Sequence, residues 1–111
     1  MLKIAGVREL GQAPVIDIEV CASGEPILLR AAIDTGAEFC VFDTGLMDAL
    51  ANRVDITLRD DCGGSLKICD VSAVFSDLFG ADARLGWSAL EHLSIVMLDD
   101  HSFEIRGHSI L

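Results

Sequence analysis

The sequence predicts a mainly β domain. The clearest sign lies at Val15 to Cys21, where Ile16, Ile18 and Val20 alternate with Asp17 and Glu19, giving an extended segment one apolar and one polar face. Ala22-Ser23-Gly24-Glu25-Pro26 supplies turn residues, and Ile27 to Ile33 returns as a second apolar segment, so the two read as a hairpin. Helical spacing is confined to two short stretches, one after Asp43 and one at Ser88.

The remaining elements follow in order. Lys3 to Val7 reads as a first strand, ended by the break at Gly11 to Pro14. After the hairpin, Phe39 to Phe42 is short and apolar enough for another strand. Asp43 then caps a helix reaching about Asn52, with Leu46, Met47, Leu50 and Ala51 on one side. Val54 to Arg59 and Leu66 to Phe75 read as strands around Asp60-Asp61-Cys62-Gly63-Gly64-Ser65, where paired glycines permit a tight hairpin tip. Ser88 and Glu91 match a Ser-x-x-Glu capping box, with Leu90 and Leu93 pointing inward. Ser94 to Leu98 and Phe103 to Gly107 form a closing hairpin across Asp99 to Ser102. No repeat, low-complexity segment or linker interrupts the chain, so residues 1–111 read as one domain.

Composition narrows the partners. Eight basic against eighteen acidic residues give a formal charge of −10, and no basic run is present. Phosphate binding needs a concentrated positive surface, which argues against a nucleic-acid ligand. The hydrophobic fraction is 51%, yet no unbroken apolar stretch is long enough to cross a bilayer, so no membrane partner is expected. The first ten residues hold no extended apolar region before a cleavage-like site, and Glu9 interrupts them early. A soluble, unexported, cytoplasmic protein is the expectation. Cys21, Cys40, Cys62 and Cys69 lack the close pairing of zinc motifs, and they read as reduced thiols packed as small apolar groups. His92, His101 and His108 form no metal-binding cluster in sequence and suit surface or capping roles.

Asp34 is the residue that needs explaining. It stands on a small-residue turn between two apolar runs, where a lone charge is disfavoured unless it gains donors, a partner or a proton. Asp34-Thr35-Gly36-Ala37 follows a short hydrophobic strand, and Leu85-Gly86 precedes a short helix further on. In these two segments the chain resembles the retropepsin family, the single-lobe aspartic peptidases of retroviruses and their bacterial relatives. In that family the hydrophobic residue and glycine pass beneath the catalytic turn.

The resemblance implies a closed β-barrel half with one or two short helices, assembled as a symmetric homodimer. It implies an aspartic endopeptidase acting on a peptide or protein substrate, with no cofactor and no metal. Asp34 would be catalytic, and each of its two copies would face one water near the dimer axis. Thr35 would brace the turns across that axis, Gly36 would let backbone amides approach the carboxylates, and Ala37 would lie near the substrate backbone. Retroviral members commonly carry Arg after the second-motif glycine, in a polar network with the acid that follows Asp-Thr-Gly-Ala; here Trp87 takes that place and Glu38 keeps the acid. At Gly63 and Gly64 two readings stand, a plain surface turn or a flap that closes over bound peptide. A second Asp-Thr-Gly, at Asp43-Thr44-Gly45, lacks the following Ala and leads into the amphipathic segment, so helix initiation accounts for it.

Two close carboxylates resist double ionisation, so an Asp34 pair would share one proton. One would take a proton from water as it attacks the peptide carbonyl, and the other would donate toward the carbonyl oxygen. The competing reading is a catalytically inactive dimerisation or peptide-binding module that keeps the fold. A thiol-dependent or metal-binding protein stands third.

Overall fold

Ile16, Ile18 and Val20 all turn inward from β2 (Val15–Cys21), and a closed barrel forms around them. The computed structural model describes residues 2–8, 11–99 and 101–107. Among these, β2 pairs antiparallel with β3 (Ile27–Ile33), and the barrel continues through β7 (Ala83–Leu85), β4 (Cys40–Asp43) and β6 (Ser65–Ser76) to β5 (Arg53–Arg59), which closes back on β2. Leu29, Ala31 and Ile33 come from β3, Cys40 and Phe42 from β4, and Val54, Ile56 and Leu58 from β5. These strands contribute alternate residues, as a pleat with one buried face requires. A three-stranded sheet of β1 (Lys3–Val7), β9 (Ser102–Gly107) and β8 (Leu93–Met97) packs alongside, contributing Phe103 and Ile105 to the same core. A single α-helical turn, α1 (Trp87–Leu90), joins the barrel to β8.

All eight expected strands lie within a residue of their observed limits, but two local expectations fail and one further strand is present. The helix after Asp43 shrinks to a 3₁₀ turn over Thr44–Leu46. Leu50 is the one buried apolar residue in that stretch, and Met47 is 55% exposed, so a longer helix has no continuous stripe to bury and cannot offset its nucleation cost. The Ser88 capping box does not form either. Ala89 and Leu90 donate to Gly86 O at 3.0 and 2.9 Å, so the helix starts at Gly86, and no side chain caps it. Finally, β7 is a strand without a counterpart in the sequence reading. Its three residues are too few to show a period, and its pairing with β3 is parallel and distant in sequence.

Of the four cysteines, all free, Cys40 alone is fully buried. Cys62 in the hairpin tip and Cys69 on the outer face of β6 are exposed, so packing as small apolar groups does not describe them. His92 lies 3.4 Å from Glu91, His101 sits exposed in the β8–β9 turn, and His108 is outside the described residues. No helix among the described residues is long and apolar enough to cross a membrane.

Several carboxylates tie this fold together through backbone amides. Asp60 accepts from Lys3 N–H at 2.9 Å, and also from Gly64 and Cys62, joining the β5–β6 tip to β1. These bonds, led by Lys3, hold Asp60 below the ordinary aspartate value of 3.8. Asp43 is lowered by bonds from Leu78 and Gly45, and Asp99 by bonds from His101 and Ser102. Glu104, buried in β9, is lowered by Arg106 and then Lys3. All four shifts are downward, so their contribution to stability is complete above the unfolded-state values near 4 and is lost as the pH falls through the lower folded ones. Urea midpoints should therefore be flat above about pH 5 and drop steeply below about pH 4, and equal midpoints at about pH 5 and pH 3 would contradict the assignment.

Candidate active site

The Asp34 turn is built by main-chain bonds on both sides. Ile33 donates to Pro14 O at 2.9 Å, and Asp34 N–H donates to Leu85 O at 3.0 Å, which fixes the aspartate at the end of β3 against the end of β7. Gly36 N–H then donates to Asp34 Oδ1 at 3.0 Å, and Ala37 N–H to Asp34 O at 3.2 Å. The result is a tight Asx turn, the local geometry that an aspartate two residues before a donor favours. Among the described residues Oδ2 accepts no hydrogen bond, and the carboxylate is half-buried.

What lies beneath the turn decides its rigidity. β7 is inserted between β3 and β4, parallel to the first and antiparallel to the second. From β7 the chain passes directly under residues 37–39. Trp87 N–H donates to Ala37 O and Ser88 N–H to Glu38 O, both at 2.9 Å. Carbonyls of the Asp34 loop thus satisfy the first free donors of α1, which is why no capping side chain is needed. Gly86 is required by this crossing: a Cβ there would meet Phe39 O at 2.4 Å and Ala37 O at 2.8 Å. Trp87 adds a third bond, its Nε1 donating to Thr35 O at 2.7 Å.

The residues singled out in the sequence are only partly brought together. Asp34, Thr35, Gly36, Ala37 and Glu38 form one loop, with the Thr35 side chain exposed and Ala37 half-buried. Glu38 contributes through its backbone; among the described residues its carboxylate makes no hydrogen bond or ion pair, and Trp87 braces the turn through Thr35 O. Gly63 and Gly64 close the β5–β6 tip, Gly63 at φ +86°. That tip is tied to β1 through Asp60, and neither glycine lines the Asp34 cleft.

The cleft itself is about 350 Å³. It is lined by Gln12, Ala13 and Val15, by Ala32 to Asp34 at the end of β3, and by Phe79, Gly80, Ala81 and Arg84. Sequence reasoning missed Phe79 and Arg84. The available signal for the first was an apolar Leu78-Phe79 pair standing before a loop glycine, and Phe79 is 91% exposed.

No protein-family model matches the chain, and no curated protein does.

The second Asp-Thr-Gly is a structural element. Asp43 Oδ2 accepts from Gly45 N–H at 3.0 Å, and its Oδ1 accepts from Leu78 N–H at 2.9 Å, so both oxygens are engaged. Thr44 Oγ1 donates to Asp77. Asp43 N–H bonds Asp82 O, whereas Asp34 N–H bonds Leu85 O, so the two aspartates stand at opposite ends of β7, roughly 10 Å apart along the strand. They cannot share one water.

Proposed function

We propose that this chain is a retropepsin-like aspartic endopeptidase whose active site is completed by a second copy of itself. The observation that carries this reading is the Asp34 turn: a carboxylate with one oxygen anchored and the other unbonded, facing a cleft, on a loop braced from below by Leu85, Gly86 and Trp87. Rigid main-chain support of this kind is what a water-activating carboxylate needs, because misplacement by about an ångström costs orders of magnitude in rate.

One chain supplies one such carboxylate. Asp43 stands at the far end of β7 with both oxygens occupied, so the second must come from outside. A symmetric homodimer with both Asp34 copies beside its two-fold axis meets that need. The surface around the turn suits a second copy: Thr35 and Gly36 are exposed, and Phe39 and Trp87 flank them at 48% and 47% exposure. Thr35 is then placed to brace its counterpart across the axis.

In the dimer the two carboxylates share one proton. The ionised Asp34 accepts a proton from the water held between them as that water's oxygen bonds to the peptide carbonyl carbon. The protonated Asp34 of the other copy donates to the carbonyl oxygen, and the C–N bond breaks as a proton passes to the leaving amine. One water is consumed per bond cut, and no covalent enzyme intermediate forms. Turnover should trace a bell-shaped pH profile, losing the base at low pH and the acid at high pH, and a peptide analogue with a hydroxyl at the scissile position should inhibit. The test is cleavage of a mixed peptide library alongside sedimentation across concentration. Turnover by a persistently monomeric protein, or a well-folded dimer that cuts nothing, contradicts the proposal.

A further inference from the structure

Arg84 is set apart from every other basic residue described. Lys3 and Arg106 pair with Glu104, Arg30 with Asp17, Arg53 with Asp70, Arg59 with Glu19 and Lys67 with Asp55. Arg8 donates to Gln12 O. The side chain of Arg84, exposed on β7, makes no hydrogen bond and no ion pair among the described residues, in a chain where acids outnumber bases eighteen to eight. With no carboxylate of its own chain engaged among the described residues, its guanidinium is open to one brought by a ligand. Arg84 lines the same cleft as Asp34.

The strand register gives the spacing. Arg84 pairs with Ala32 across the β3–β7 ladder, and Asp34 lies two residues beyond Ala32. Strand rise and spacing put the two backbones roughly 8 Å apart, about two residues of an extended peptide. Phe79, 91% exposed, lines the same cleft and offers it an apolar surface.

We propose that Arg84 is a specificity-determining residue that binds an acidic side chain of the substrate within about two positions of the bond cut at Asp34. The inference rests on the peptidase reading above and names its substrate class: acidic peptides with an apolar neighbour to the acid. A guanidinium is suited to this task, since its fork matches a carboxylate and it stays charged throughout the working pH range. In a protein of formal charge −10, a single basic point in the cleft also sets where along an acidic peptide the chain engages.

The test profiles cut sites in a mixed peptide library by mass spectrometry for the wild-type chain, for Arg84→Gln and for Arg84→Glu. It then compares kcat/KM on matched peptides that differ only as Glu or Gln at the enriched position. The wild type should favour the Glu peptide by about tenfold or more, Arg84→Gln should erase that preference, and Arg84→Glu should transfer it to peptides with Lys or Arg there. Cleavage that depends on Asp34 but shows the same acid preference in all three proteins, or none in the wild type, overturns the role of Arg84 and leaves the peptidase reading standing. If nothing is cut, that reading fails instead. The same Glu and Gln peptides, titrated by fluorescence anisotropy onto Asp34→Asn protein with and without Arg84→Gln, then decide the arginine's role. Tighter binding of the Glu peptide that vanishes with Arg84→Gln upholds it, and equal or absent binding overturns it.

Discussion

Asp34→Asn should lower peptide turnover by about 10³-fold or more while leaving the fold and the dimer intact. An asparagine keeps the side-chain oxygen that accepts from Gly36 N–H, so the turn persists, but it cannot take a proton from water. Asp43→Asn is the informative contrast. Both oxygens of Asp43 accept backbone donors, from Gly45 and Leu78, and an amide offers only one oxygen, so one of these bonds is lost. The expected outcome is a lower unfolding midpoint with turnover per folded molecule retained. Peptide turnover and circular dichroism on both variants separate the cases. Equal loss of activity in two well-folded variants would contradict the assignment of roles.

Gly86→Ala should be the most damaging single methyl in the chain. Its Cβ would lie 2.4 Å from Phe39 O, 2.7 Å from Phe39 C and 2.8 Å from Ala37 O, all main-chain atoms that cannot swing aside. Relief requires the crossing to separate, which breaks the bonds from Trp87 N–H to Ala37 O and from Ser88 N–H to Glu38 O. Overpacking of this kind costs about 1–3 kcal/mol, a large fraction of the net stability of a small domain. Because the strain falls on the Asp34 loop, turnover should fall further than stability does. Thermal unfolding and turnover measured on the same preparation check both parts. Wild-type stability in Gly86→Ala would show that the crossing is not as close as described.

The contrast between what could and could not be read from the sequence follows from range. The β2–β3 hairpin was legible because alternation, turn residues and pairing all lie within twenty or so consecutive residues, and the Asp34 to Ala37 turn because its bonds are local. The brace beneath it was not. β7 joins β3 and β4 across a long sequence interval, and only that insertion brings Arg84 beside Ala32 and Trp87 beside Thr35. The Ser88 capping box misled for the same reason: its local pattern was outcompeted by carbonyls of Ala37 and Glu38. The amphipathic stretch after Asp43 failed because spacing alone does not guarantee a surface to bury, and Met47 and Ala51 find none.

The claim that two Asp34 carboxylates form one site is tested most directly by mixing. Wild-type and Asp34→Asn chains would be unfolded together, refolded at fixed total concentration and assayed for peptide cleavage as the wild-type fraction is varied. If each active site needs an Asp34 from both copies, mixed dimers are inactive and activity falls as the square of that fraction, to about one quarter at equal proportions. Activity that falls in simple proportion, to about one half, would show that each chain works with its own Asp34 alone and would contradict the shared site.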